Sequence, residues 1–141
     1  MKNTLLRIAL GATLLGATVL TVQTQSPRAV AGETEFRSIS QAELQRAIAA
    51  KRVTILDANG DESFKEGRIP TAINFYKVEK NLKAVLPKNK NALVVAYCGN
   101  PHCTAYKQAA QAAKKLGYTN VAHFSPGIAG WRASGAKQDK G

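Results

Sequence analysis

The chain has 141 residues, 20 Lys and Arg against 9 Asp and Glu, and a formal net charge of +11. That length suits one domain around one hydrophobic core. Two cysteines exclude a disulfide scaffold, and lysines scattered without interleaved aromatics argue for a solvated basic face rather than nucleic-acid binding.

The first 31 residues read as an export signal. Lys2 and Arg7 supply the positive start, and Ile8 to Leu20 is an apolar run diluted by Gly11, Thr13, Gly16 and Thr18. Ala29-Val30-Ala31 gives the small-x-small pattern of a cleavage site. The run is short beside the about 20 apolar residues of a membrane span. Cleavage is therefore expected, leaving residues 32–141 as one domain in a periplasmic-type compartment with no stable membrane span; an uncleaved anchor is the alternative. Residues 1–31 carry Lys2, Arg7 and Arg28 and no acid, so the +11 of the whole chain becomes +8. A positive surface attracts small anions and acidic partners.

Residues 32–36 form a mostly polar leader. Ser40-Gln41-Ala42-Glu43 is a capping-box pattern that opens a helix, with Leu44, Ala47 and Ile48 on one face and Lys51-Arg52 at its end. Val53 to Leu56 is a short β-prone run ending at Asp57, and Asn59-Gly60 marks a turn. Asp61 to Glu66 is a brief helix stopped by Gly67. Ile69-Pro70 is extended, and Ala72-Ile73-Asn74 is a short strand. Val78, Leu82 and Val85 recur at helical spacing up to Pro87. Ala92 to Tyr97 is apolar throughout, the pattern of a central strand covered on both faces. Thr104 caps a helix running to Leu116 and ended by Gly117, with Ala105, Ala109, Ala112 and Leu116 as its buried stripe. Val121 to Phe124 is a last strand, and Gly127 to Trp131 begins a closing turn or helix. Alternating strands and helices predict an α/β fold with a mainly parallel central sheet and helices on both faces.

Cys98 falls directly after the strongest strand, where open α/β sheets bind ligands. The loop that follows leads into a helix N-terminus, whose unpaired N–H groups and dipole favour negative charge. A thiolate is such a charge, so Cys98 is expected to be a nucleophile in an anion-binding cradle. A buried structural thiol is the alternative; the polar, turn-rich Gly99-Asn100-Pro101-His102 argues that the chain surfaces here.

At these residues the sequence resembles the rhodanese-like sulfurtransferases, over roughly Ser38 to Gly135. Asp57-Ala58-Asn59 with Glu62-Ser63-Phe64 is similar to the family's Asp-Val-Arg plus Glu-x-Phe segment. Gly67 to Asn74 is similar to its Gly-His-Ile-Pro-Gly-Ala-x-Asn stretch. Tyr97-Cys98 opening a short loop into a helix is similar to its active-site loop. Leu116 to Val121 and Gly127 to Trp131 are similar to its C-terminal signature. The resemblance implies a rhodanese-like fold and a thiosulfate sulfurtransferase-like activity, with no cofactor. Cys98 would take the outer sulfur of a small anionic donor such as thiosulfate and pass it, as a persulfide, to a thiol, free or on a protein, or to cyanide. N–H groups of Gly99, Asn100, His102 and Thr104 would hold the anion, with Asp57 and Arg68 in support.

Departures cluster in the loop. The family pattern Cys-x-x-Gly-x-Arg/Ser/Thr has Pro101 at its glycine, which removes one donor, and Cys103 at its last position. Asn59 replaces the arginine of Asp-Val-Arg, Arg68 the histidine of Gly-His-Ile-Pro, and Pro126 the first glycine of the C-terminal pair. Phosphatase or arsenate-reductase chemistry would need an arginine clamp, which positions 103 and 104 lack. Cys103 has three readings: a resolving thiol that releases sulfide from the Cys98 persulfide, half of a structural or regulatory disulfide, or a small residue ending the loop. A bridge requires the two Cα atoms within about 7 Å. Cys98, His102 and Cys103 match no metal motif, so no metal is expected. His123 reads as a packed or surface residue and Trp131 as core. Three functions stand at this point: a sulfurtransferase, a thiol–disulfide redox protein, and a non-catalytic rhodanese module.

Overall fold

Short apolar runs alternate with helices along the chain, and the computed structural model, which describes residues 36–141, follows that order. Its elements are β1 (Arg37–Ser38), α1 (Gln41–Ala49), β2 (Val53–Asp57), α2 (Asp61–Glu66), β3 (Ile73–Asn74) and α3 (Phe75–Val78). A 3₁₀ turn at Glu79–Asn81 follows, then α4 (Leu82–Val85), β4 (Leu93–Tyr97), α5 (Tyr106–Lys115), β5 (Val121–His123) and α6 (Gly127–Ala133). The export signal expected at residues 1–31 lies outside the described residues.

The five strands form one sheet in the order β1-β5-β4-β2-β3, and every pairing is parallel. β4 is its centre. Because side chains alternate along a strand, Val94 and Ala96 join one apolar cluster, with Leu56, Phe75, Leu82 and the α5 alanines Ala109, Ala110 and Ala113. Val95 and Tyr97 join the other, with Leu44 of α1 and Ile128 and Trp131 of α6. Helices therefore cover both faces, as the all-apolar β4 requires. Burying each such Val or Leu contributes about 1.5–3 kcal/mol, and the small alanines let α5 lie close to the sheet.

The chain departs from the sequence expectations in four places. Phe36 is buried and Arg37–Ser38 pairs with β5, so the polar leader ends in a strand that two residues are too few to announce. Ser40 Oγ accepts from the Glu43 N–H, but Glu43 turns its carboxylate to Arg37, so only half of the capping box forms. Val85 is exposed while Leu86 is buried, because a 3₁₀ turn interrupts the helix and shifts its phase. Thr104 is not a cap: α5 starts at Tyr106 after Ala105, with no side-chain cap, and its fully buried residues are Ala109, Ala110 and Ala113. Ala105, Ala112 and Leu116 are only partly buried at that cluster's edge.

The order of strands reverses between β2 and β4. The loops leaving their carboxyl ends therefore lie side by side, tied by the Ala58 N–H to the Tyr97 carbonyl at 2.9 Å. A crevice at such a reversal is where ligands bind in sheets of this kind.

Candidate functional site

The loop from Cys98 to Thr104 leaves the end of β4 on the α5 side of the sheet. Cys98 is 1 % exposed and belongs to the apolar cluster under α5. The chain surfaces one step later: Gly99 is half-buried, Asn100, Pro101 and His102 are exposed, and Cys103 is half-buried again. The loop curls enough to bring the Cα atoms of Cys98 and Cys103 to 6.2 Å, and their sulfurs form a disulfide.

Asn100 shapes that curl. Its carbonyl accepts from the Cys103 N–H at 3.1 Å, and its Oδ1 accepts from the His102 N–H at 2.9 Å, an Asx turn. Of the loop N–H groups expected to cradle an anion, that of His102 is thus turned onto Asn100. A second clamp comes from α6, whose first turn donates Ile128 N–H to the Cys98 carbonyl and Ala129 N–H to the Gly99 carbonyl, both at 2.9 Å. In a trans peptide the next N–H points opposite to the carbonyl. The Gly99 and Asn100 N–H groups therefore point away from these two donors and are the pair suited to an anionic sulfur.

Gly127 makes the clamp possible. Its φ is +61°, and a Cβ there would sit 2.5 Å from the Cys98 carbonyl oxygen and 2.7 Å from the Asn100 nitrogen. Only glycine fits both that backbone angle and that approach.

Asp57 and Arg68 lie apart from the sulfur. Asp57 accepts from the Asn59 N–H and side-chain amide, each at 2.8 Å, and from the Tyr97 hydroxyl. Tyr97 points to the sheet face opposite Cys98. Burial pushes the Asp57 carboxyl above its ordinary value, while Tyr97, Asn59 and Arg68 pull the other way. Burial first, and then the Asp57 charge, push the Tyr97 phenol far up, so it stays a neutral donor. Arg68 donates to the carbonyls of Phe64 and Gly141 and lies 4.4 Å over the Phe64 ring. Asp57 is thus linked to the loop through Asn59, whose Oδ1 lies 3.5 Å from where a Cβ on Gly99 would stand. Asn59 lies beside the loop although the sequence marked it as a turn and as a departure from Asp-Val-Arg, not as a site residue; its signal was its place just past the end of a strand beside β4.

A cavity of about 320 Å³ opens at the Cys103 end of the loop, lined by Ser38, Pro101, Cys103, Thr104, Tyr106 and Ser125 among others. His123 also lines it, 8 % exposed and stacked on Tyr106 with ring centroids 3.3 Å apart. Its Nε2 has no hydrogen-bond partner among the described residues, and burial pushes its pKa down to about 4. A cavity of similar size beside Lys51 to Thr54 and Leu93 sits at the amino ends of β2 and β4, away from Cys98. Among the described residues, no group of three or more His, Cys, Asp or Glu is placed to hold a metal ion, and no helix is long and apolar enough to cross a membrane.

The sequence model of the rhodanese-like domain matches residues 40–134. A curated relative, the HTH-type transcriptional regulator Rv0324 of Mycobacterium tuberculosis, is 32 % identical over 105 residues, which are 74 % of this chain and 45 % of the relative. The chain thus spans under half of that protein's length. Among solved structures, a thiosulfate sulfurtransferase from Pseudomonas aeruginosa matches with TM-score 0.63 and 21 % identity, over 74 % of this chain and 20 % of that one. The human single-domain sulfurtransferase matches with TM-score 0.55 and 23 % identity, over 68 % and 95 % of the two chains. A rhodanese-related protein from Thermoplasma volcanium matches with TM-score 0.57 and 22 % identity, over 74 % and 98 %. At these identities the structural matches establish the fold, and the sequence match over most of the chain establishes the family: the protein belongs to the rhodanese-like domain family.

Proposed function

We propose that the chain is an exported, periplasmic-type sulfurtransferase in which Cys98 takes a sulfane sulfur from an anionic donor of the thiosulfate kind and Cys103 releases it as sulfide. The observation that carries this reading is the Cys98–Cys103 bridge at the carboxyl end of the central strand. A sulfur that reaches Cys98 to form a bond is placed to attack a persulfide formed there.

In the reduced protein, the Cys98 thiolate attacks the outer sulfur of thiosulfate. The S–S bond of the donor breaks and sulfite leaves with the electron pair. Gly99 and Asn100 N–H groups stabilise the persulfide anion. Cys103 thiolate then attacks the Cys98 sulfur, hydrosulfide leaves, and the Cys98–Cys103 disulfide closes. The two thiols are oxidised as the sulfane sulfur is reduced to sulfide. A dithiol or two monothiols must then reduce the bridge. The mature charge of +8 would draw the anionic donor.

The test is intact mass of the reduced protein after thiosulfate, with sulfide measured in parallel. Cys103→Ser should retain one added sulfur atom, the unsubstituted protein should lose two hydrogens with release of sulfide, and Cys98→Ser should do neither. A Cys103→Ser protein that gains no sulfur would sink the proposal. A second reading, a thiol–disulfide redox protein without sulfur turnover, is favoured by the same bridge. Loss of two hydrogens without sulfide would select it.

A further inference from the structure

The two halves of the disulfide meet different surroundings. Cys98 is 1 % exposed and packed in the apolar cluster, whereas Cys103 is half-buried and lines the cavity at the end of the loop, which Cys98 does not. Thiol–disulfide exchange depends on which sulfur can be reached and on how well the other leaves. Here both conditions select the same direction. An incoming thiolate can reach Cys103, and the sulfur it displaces, Cys98, is followed by the Gly99 and Asn100 N–H groups, which are turned away from α6 and would favour a thiolate.

The cavity itself has the makings of a ligand site. Its volume of about 320 Å³ would hold a tripeptide-sized molecule, and Ser38, Thr104 and Ser125 bring hydroxyls to its wall. His123 adds a side chain more than nine-tenths buried whose Nε2 lacks a partner among the described residues. An unpaired buried polar atom is costly unless something satisfies it. Tyr106, stacked on that imidazole, gives the wall a flat aromatic panel.

We propose that this cavity is the entry site for the thiol that reduces the Cys98–Cys103 bridge, and that attack falls on Cys103 Sγ. The proposal rests on the reading of the pair as a working dithiol. The attacking thiolate forms a new S–S bond to Cys103, the Cys103–Cys98 bond breaks, and Cys98 leaves as the thiolate ready for donor. A second thiol then attacks the mixed disulfide, leaving Cys103 reduced and the two reductant thiols joined as their disulfide.

The experiment treats the oxidised full-length protein briefly with glutathione, blocks remaining thiols with N-ethylmaleimide, and locates each adduct by fragment-ion mass spectrometry. Glutathione on Cys103 with maleimide on Cys98 is the expected result; glutathione on Cys98 would overturn the proposal. Because Cys98 can close back on Cys103, single-thiol variants provide a second measure: Cys98→Ser should form a mixed disulfide with oxidised glutathione several-fold faster than Cys103→Ser, and the reverse order would also overturn it. Filling the exposed side of the cavity by Ser38→Trp should slow reduction by glutathione several-fold, and an unchanged rate would remove the cavity from the proposal. Persulfide formation on Cys103→Ser reads the sulfurtransfer proposal separately. Its absence, with glutathione on Cys103, would defeat that reading and leave this one standing.

Discussion

His123 ends β5 in the wall of the cavity, and its burial has a thermodynamic signature. In the unfolded chain it titrates near 6.5, whereas in the fold its pKa is pushed down to about 4. Between these values the unfolded state binds the proton more readily, so stability is fully present above pH 6.5 and is lost as pH falls toward 4. The span corresponds to about 3 kcal/mol at most. Urea unfolding across that range should show this loss, and His123→Phe, which keeps a ring against Tyr106 and cannot titrate, should flatten it. An identical pH profile in the variant would refute the assignment. The sequence could place His123 in a strand but not choose between its packed and surface readings; burial depends on β1 and α5 arriving on either side. Cys98 was legible for the opposite reason. An apolar run ending in a cysteine and a turn is local information, and it gave the place of Cys98 at the end of β4.

Among the elements, α6 supports the loop although only seven residues long. Its first turn spends two N–H groups on the Cys98 and Gly99 carbonyls, and Gly127 permits the approach. Gly127→Ala would place a non-glycine residue at positive φ, a cost of roughly 1–2 kcal/mol, and would press a Cβ into the loop backbone. The expected outcome is a loss of at least about 2 kcal/mol in urea unfolding, with persulfide formation slowed as the loop shifts. Unchanged stability and rate would show the clamp to be dispensable. Helices α1, α2 and α5 and strands β2 and β4 were readable from caps, turns and apolar runs. The start of α5 was not: Thr104 is a good cap by type, but the chain spends residues 101–105 closing the loop around Asn100 and the disulfide before it can turn helical. Nor was β1 visible, since two residues carry no periodicity.

For the whole molecule, parallel order and helices on both faces followed from the alternation of elements, while the order of strands and the meeting of the β2 and β4 loops required the folded chain. Charge acts at the same scale. A basic protein taking an anionic donor should be steered by long-range attraction, which salt screens over about 30 Å at 0.01 M and about 8 Å at 0.15 M. The second-order rate of Cys103→Ser persulfide formation from thiosulfate should therefore fall several-fold across that range. A rate indifferent to salt would confine recognition to the loop.

At its margins the sheet ends in β1 and β3, each of two residues. A flank that brief offers almost no ladder of open amides and carbonyls to a foreign chain. Templated growth into fibrils and recruitment of partners by strand addition are both denied a foothold among the described residues. Under the proposed chemistry, a protein thiol that reduces the Cys98–Cys103 bridge would have to come end-on, to the rim where the strands point.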